Sequence, residues 1–501
     1  MRRLEDFPDA ALRVFPRPPL PPPEAIRRVY LIGICGKGMG ALAELLAEAG
    51  YAVSGSDEAA YPPMSTRLAA AGIPVYEGYD PAHLDAAAPD LVVVGNACTP
   101  THPEAAAARE RGLVQTSLPE ALAHLFLAQR QPAVVAGTHG KTTTTGMLVH
   151  VLREAGLDPS FLVGGVLVGE ASTSGLGAGP VFAVEGDEYD AAYFDKRPKM
   201  ILYRPHRAIV TSLEFDHADI YANWEEYQRA FHAFVSLPPP DGLLVLNGED
   251  AGVRALADRT WARVRLYGEE GRAPEGTAFD VAARDLAPSD GGQTFTLVVH
   301  GEAVAEVALP LGGRYNALNA LAVAAVALDA GAPPEAVAAG LGTFRGMKRR
   351  QEVVADAGGV LVVDDFAHHP TAVEATIRGV RERWPGRRLV AVFEPRSNSS
   401  RRKAFEAPYA AALATADALF LSTPPLRHND DPADFLDAEA VAQAVRDAGT
   451  EAAAYASADA LRPDLLEALR PGDLALVMSN GSFDGLVGTL SAALEAETAS
   501  A

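Results

Sequence analysis

The sequence predicts an α/β protein of three domains, and three observations carry that prediction. The chain has 501 residues, enough for about three domains of ordinary size. The strand–helix alternation of a parallel sheet begins near Arg27 and restarts near Gln131 and Arg345. Glycine loops of the phosphate-cradling kind follow the opening strand in two of those units.

Residues 1–26 read as a lead-in. Met1 to Phe15 mixes charged and apolar residues and lacks a signal-peptide core, and the Pro-rich PRPPLPPPE (Pro16 to Glu24) is extended. The first domain, 27–127, opens with the strand RRVYLIGI, continues with the helix MGALAELLAEAG ending at Gly50, and adds the strands YAVSGSD and DLVVVGNA. The central domain, 128–344, repeats strand, glycine loop and helix in QPAVVAGTHGKTTTTGMLVHVLREAG. The third, 345–494, holds the strand GVLVVDDFA, the helix PTAVEATIRGVRERW and the strand RLVAVFEP. The tail EAETASA is expected to fray.

Composition excludes several classes. With 48% hydrophobic and 22% charged residues, the chain is that of an ordinary globular protein, and its net charge of −22 disfavours nucleic acid and anionic membranes as partners. Cys35 and Cys98 cannot build a disulfide framework, and no apolar run reaches membrane-spanning length. The expected location is cytoplasmic.

The motifs narrow the chemistry. VVAGTHGKTTTTG (Val134 to Gly146) is short by the G-x-x-x-x-G-K-[ST] spacing, since its first glycine is Gly137 where that pattern requires one at Val135. Its setting, apolar strand before and amphipathic helix after, is nevertheless that of a phosphate loop. Lys141 would reach the β/γ-phosphates and Thr142 could ligate Mg²⁺. In GICGKGMGA, residues Gly36, Gly38 and Ala41 fit G-x-G-x-x-A, and Asp57 closes the next strand where an acid meets a ribose. That fingerprint suits NAD or another nucleotide. A second phosphate site favours two nucleotides over hydride transfer.

Carboxylates follow two further strands. VEGDEYD carries Glu185, Asp187, Glu188 and Asp190, and LEFDH carries Glu214, Asp216 and His217. At the C-terminal ends of strands they are placed for Mg²⁺ and phosphate chemistry. Asn316 and Asn319 share one face of the helix in GRYNALNALAVAAVAL and suit either an adenine edge or a helix cap. DDFAHHP has a zinc-like composition, but no further His/Cys ligand set is evident from the sequence.

Together GTHGKTTT, VEGDE, LEFDH, RYNALNA, MKRR and DDFAHHP, in this order, resemble the Mur ligase family over about residues 27–490. The resemblance implies a Rossmann-like UDP-binding domain, a central P-loop ATPase-like domain and a C-terminal Rossmann-like domain. It implies an ATP-dependent amide ligase that works through an acyl phosphate, with Mg²⁺ as cofactor. The paired histidines resemble the branch acting on UDP-N-acetylmuramate. One member of that branch adds L-alanine; another adds the murein tripeptide L-alanyl-γ-D-glutamyl-meso-diaminopimelate. DEYDAAYFDKR, FEPRSNSSRR and MSNGSFDG are similar to the tripeptide-adding member. The alternatives are the alanine-adding reaction and a nucleotide-binding module without catalysis.

Carried over by the resemblance, ATP would lie on Gly137, Thr138, His139, Gly140, Lys141, Thr142 and Thr143, with Asn316, Asn319, Arg350 and Asp365. Lys141, Glu185, His217 and Arg350 would be catalytic, and Thr142, Glu185 and His217 would hold the metal. Gly36, Lys37, Gly38, Met39, Asp57 and Asn96 would bind the UDP substrate, and Arg396, Ser397 and Asn398 the peptide. The expected state is a monomer or weak dimer. Two departures stand out: Ser212 replaces an Asn usual in the family, and Gly186 replaces an Ala.

Overall fold

The computed structural model describes residues 15, 17–60, 62–215, 220–397, 400–424 and 434–500. Two of the predicted site residues, His217 and Asn398, and the acid Asp216 lie outside the described residues.

Three large sheets follow one another along the described chain, with a two-stranded hairpin, Asp190–Ala192 and Asp195–Pro198, beside the second. In the first, five parallel strands lie in the spatial order Val75–Glu77, Ala52–Asp57, Arg28–Ile32, Leu91–Val94, Gln115–Ser117. The order reverses between Arg28–Ile32 and Leu91–Val94, and such a switch point opens a crevice at the strands' C-terminal ends. The glycine loop and Asn96 both lie at that end. Leu91 to Val94 are all buried, as a continuous apolar run requires between two helical layers.

The central sheet has ten strands. Gln131–Ala136, which leads into the phosphate loop, sits between two parallel neighbours, Val181–Glu185 and Arg207–Val210. Register pairs Val135 with Glu185 and Ala136 with Val210, so all three strands deliver their C-terminal ends to one place. The helix Lys141–Glu154 follows the loop and packs beside Arg314–Asp329, an Ala-rich helix buried nearly all round. The sheet then extends into an antiparallel meander, Val281–Ser289, Gly292–Val299 and Glu302–Leu309.

The third sheet runs Glu352–Ala357, Val360–Asp365, Leu474–Ser479, Leu389–Glu394, Ala418–Ser422, Glu451–Tyr455, parallel except for its first strand. Three motifs distant in sequence, DDFAHHP, MSNGSFDG and FEPRSN, therefore leave neighbouring strands side by side. One expectation is corrected at the C-terminal end of the chain. The last helix runs from Leu486 to Ser500 rather than fraying at Leu494. The lead-in is tethered: Arg17 pairs with Glu120 and stacks on Phe194, while Phe15 meets Tyr193 edge-on. Among the described residues, no helix is long and apolar enough to cross a membrane.

Candidate active site

The site is built around the loop Gly137–Gly140. Its backbone enters the left-handed region at Gly137 (φ 131°) and Gly140 (φ 80°), which residues with a Cβ avoid. Space is closed as well: a Cβ at Gly140 would stand 2.9 Å from Asn319 Oδ1. Asn319 thus leans on the loop, while Asn316 donates to the Gly312 carbonyl (2.7 Å), a local bond near the helix start.

Lys141 opens the helix and folds back over its own loop. Its ammonium donates to Gly137 O (2.6 Å), Thr138 O (3.3 Å) and Glu188 Oε1 (3.0 Å). Glu188 is fully buried. Burial alone would lower the Lys141 pKa, but the charges of Glu188, Asp187 and Glu185 outweigh it and raise it, so the group is a fixed cation. Thr142 Oγ1 donates to Glu185 Oε1 (2.9 Å), and the other Glu185 oxygen accepts Gly164 N–H (2.9 Å). A hydroxyl and a carboxylate oxygen in contact form a hard-oxygen pair, the donor chemistry that Mg²⁺ takes. Asp187 is held by Lys199 at 2.7 Å; burial would raise its pKa, yet Lys199 brings it down.

Thr138 and His139 turn their side chains elsewhere. The Thr138 hydroxyl donates to Glu214 O and meets Tyr227 Oη at 3.1 Å, and His139 Nε2 lies 2.8 Å from Glu214 Oε2. The Thr138 N–H donates to Ser212 O at 3.1 Å, so the side chains of both residues and this backbone group are engaged with the segment Ser212–Glu214. Thr143 is buried within the helix. Ser212, the first departure, accepts the His139 N–H at 2.9 Å, so the loop keeps a polar anchor there. Gly186, the second, has no room for a methyl: a Cβ would stand 2.8 Å from Val134 Cγ1.

Across the loop, the third domain presents cations. Arg350 stacks on Phe366 (4.3 Å from the ring centroid), and burial pushes its pKa down against the pull of Asp365. Arg349 donates to Ser479 O (2.7 Å) and Asp364 (3.1 Å). From the first domain, Lys37 faces both arginines; burial and their charges push its pKa down. Three cations from two domains thus converge, an arrangement that calls for an anion between them. The Asp365 oxygens accept the backbone N–H groups of Gln351 (2.7 Å) and Ala367 (2.8 Å).

In the first domain, Gly36 caps the helix Lys37–Glu48, whose free N–H groups at Lys37, Gly38 and Met39 face the crevice. Both Asp57 oxygens brace the loop by accepting Cys35 N–H (2.8 Å) and Glu58 N–H (2.9 Å). Asn96 Oδ1 is buried without a hydrogen-bond partner. At the edge of the third sheet, Arg396 pairs with Glu394 (3.1 Å), whose other oxygen accepts Ser479 Oγ–H (2.6 Å). Glu394 is only 4% exposed, so this is not a solvated surface pair. The Ser397 hydroxyl accepts Ser400 N–H (2.9 Å) and shapes the turn.

Sequence reasoning assigned no role to Glu188 as the partner of Lys141, to Arg349, or to the meeting of His139 with Glu214 and His369. For Glu188, His139, Glu214 and His369 the one available signal was position, each lying beyond a strand or before a helix; Arg349 precedes the strand Glu352–Ala357.

Comparison with known proteins gives matches along most of the chain. Three family profiles align in order: "Mur ligase family, catalytic domain" over residues 28–130, "Mur ligase middle domain" over 135–327 and "Mur ligase, glutamate ligase domain" over 349–481. The chain is 38% identical over 464 residues to the UDP-N-acetylmuramate–L-alanyl-γ-D-glutamyl-meso-2,6-diaminoheptandioate ligase of Escherichia coli, covering 92% of this chain and 96% of that one. It is 44% identical over 395 residues to the UDP-N-acetylmuramate–L-alanine ligase of Kineococcus radiotolerans, covering 78% and 80%. A crystal structure of a murein peptide ligase from Psychrobacter arcticus superposes with a TM-score of 0.69 at 34% identity, covering 93% and 98%.

Proposed function

We propose, from the premise that this chain belongs to the Mur ligase family of ATP-dependent amide ligases, that it joins the carboxylate of UDP-N-acetylmuramate to the amine of L-alanyl-γ-D-glutamyl-meso-diaminopimelate. The observation that carries the reading is the convergence on one phosphate loop of the strands leading to Glu185 and Glu214 and of Asn319, with Lys141 over the loop. It supports phosphoryl transfer between substrates held on different domains.

The chemistry follows from the charges. A carboxylate is a poor electrophile until phosphate replaces its oxyanion with a leaving group. The muramyl carboxylate attacks the γ-phosphorus of ATP, releasing ADP and leaving an acyl phosphate. The peptide amine then attacks the acyl carbon, and inorganic phosphate leaves. Lys141 would neutralise the β/γ-phosphates, and Arg350 the transferring group, so that catalysis is mainly positioning and charge compensation. Thr142 and Glu185, joined by His217, would hold Mg²⁺, which supplies further neutralisation of phosphate charge. The N–H groups at Lys37, Gly38 and Met39 would receive the UDP diphosphate, with Asp57 and Asn96 around it. Arg396, Ser397 and Asn398 would face the peptide, whose several carboxylates suit a guanidinium.

The 44% identity to an alanine-adding relative favours a second reading, in which the amine is L-alanine. One assay separates the two. Enzyme, ATP, Mg²⁺ and UDP-N-acetylmuramate are given L-alanine and tripeptide in competition, and products are read by mass. A tripeptide adduct is expected. Exclusive formation of the alanine adduct moves the assignment to the second reading, and phosphate release independent of any amine excludes both. We expect the working unit to be a monomer or weak dimer, checked by sedimentation.

A further inference from the structure

We propose that His139, Glu214 and His369 form a second cation site, which takes one divalent transition-metal ion of the Zn²⁺ class and bridges the central and third domains. The three donors come from three segments: the phosphate loop, the loop after Arg207–Val210, and the residue that precedes the helix Pro370–Arg383. No spacing in the sequence links them, which is why DDFAHHP showed a zinc-like composition without a ligand set. The fold supplies the rest of the set.

The geometry is close to that of a bound ion. His139 Nε2 lies 2.8 Å and His369 Nδ1 3.9 Å from the same oxygen, Glu214 Oε2, and all three donor atoms lie within 4.8 Å of one another. Around Zn²⁺, with bonds near 2.1 Å to nitrogen and oxygen, neighbouring ligand atoms stand about 3.4 Å apart. The donors need to shift by roughly an ångström or less, within the reach of side-chain rotation.

Their backbones are already fixed. His139 N–H is held by Ser212 Oγ at 2.9 Å, and its carbonyl accepts Thr211 Oγ1–H at 2.5 Å. Glu214 exchanges both its backbone N–H and its carbonyl with the Thr138 hydroxyl, each at 2.9 Å. His369 is edge-on to Phe405 with its side chain 13% exposed, and Thr371, the second residue of the helix that follows, also bonds Glu214. Two imidazoles and one carboxylate make a mixed nitrogen–oxygen set. Such a set prefers Zn²⁺ or Co²⁺ to Mg²⁺, which takes oxygen donors and belongs at Thr142–Glu185. A coordination position is left for water. Because only Gly140 separates His139 from Lys141, an ion held here fixes the third domain against the nucleotide site.

The inference does not depend on which amine the enzyme uses. Its test is binding to the intact chain, stripped with chelator and kept in excess Mg²⁺ to fill the hard-oxygen site. Zn²⁺ is titrated calorimetrically, and Co²⁺ is added as a spectroscopic probe. We expect one Zn²⁺ per chain, a visible Co²⁺ spectrum with nitrogen ligation, and at least a tenfold loss of affinity in each of His139→Ala, Glu214→Gln and His369→Ala. Absence of Zn²⁺ binding under Mg²⁺ overturns the site. Binding unchanged in all three variants, or lost in the central-domain variants but not in His369→Ala, overturns the bridge. Should His369→Ala fail to fold, His369→Asn carries the same readout with the side-chain volume largely kept.

Discussion

Removing the Lys141 ammonium should damage the enzyme in two separable ways. Sequence alone places this residue on a loop, where truncation costs only chemistry. In the structure its side chain is 14% exposed and paired with a carboxylate that is fully buried. Breaking a buried pair from one side typically costs about 3–5 kcal/mol, since the remaining charge loses its compensation. For a domain of this size, about 3 kcal/mol lowers the midpoint of thermal unfolding by roughly 6–12 °C. Loss of a donor aimed at developing charge costs about 10²–10³ in rate. Lys141→Met should therefore show both losses, by calorimetry and by coupled ADP release at saturating substrates. Adding Glu188→Gln removes the stranded charge, so the double variant should regain most of the stability and none of the turnover. Near-normal turnover in Lys141→Met would refute the phosphate-loop role. An unchanged midpoint would refute the buried-pair argument.

Four further outcomes are expected. Glu185→Gln should raise the Mg²⁺ concentration needed for half-maximal rate while leaving UDP-sugar binding by calorimetry nearly unchanged; the reverse pattern would misplace the metal site, and His217→Ala should behave alike. Arg396→Ala should raise the tripeptide KM strongly and the ATP KM little, whereas equal small effects on both would reduce Arg396 to the partner of Glu394. Gly186→Ala should cost about 1–3 kcal/mol through overlap with Val134, and a variant as stable as the parent would show that the strand gives way. Burial depresses the pKa of His102, His150, His206 and His232, so the unfolded chain takes up protons first as pH falls. Stability should then decline from about pH 7.5 towards 5.5, by at most about 1.4 kcal/mol per pH unit for each proton taken up, and a rising unfolding midpoint over that range would contradict it.

What the sequence made legible was local. The runs PAVVA, VFAVE and AIV announce buried strands, and the residues after them fall where α/β sheets gather their chemistry. That placed Lys141, Thr142 and Glu185 together before any coordinates. What it could not give was strand order. Only the pairing of Val181–Glu185 and Arg207–Val210 on either side of Gln131–Ala136 brings Glu188 beneath Lys141 and Glu214 against His139. In the meander Val281–Leu309 the outer strands mix exposed and half-buried positions, so only the middle strand, Gly292–Val299, carries a mostly buried run. Asp365, assigned to ATP by the resemblance, accepts two backbone N–H groups beside it, bonds that no sequence pattern announces.

That backbone explains how the third domain is aimed. Gly346 to Lys348 belongs to the central domain: Lys348 N–H bonds Val166 O, Val168 N–H bonds Gly346 O, and Met347 is fully buried against Gly146 of the phosphate-loop helix. From Arg349 to Gln351 the backbone is held by the third, through Glu352 and Asp365, and the Arg349 side chain by Asp364 and Ser479, while the Gln351 side chain reaches back to Gly312 and Tyr315 of the central domain. The changeover occupies the bond between Lys348 and Arg349. Arg349 (φ 59°) and Gln351 (φ 48°) are both left-handed without being glycine, a conformation that costs of order 1–3 kcal/mol each and persists only where surroundings enforce it. Asp365 is one of those enforcers through Gln351 N–H. A pivot this short carries Arg350 between two anchored neighbours, so the guanidinium has little freedom apart from rotation of the whole domain. A rotation of the third domain about this pivot would carry Arg350 with it, because the backbone on both sides of Arg350 is bonded to that domain.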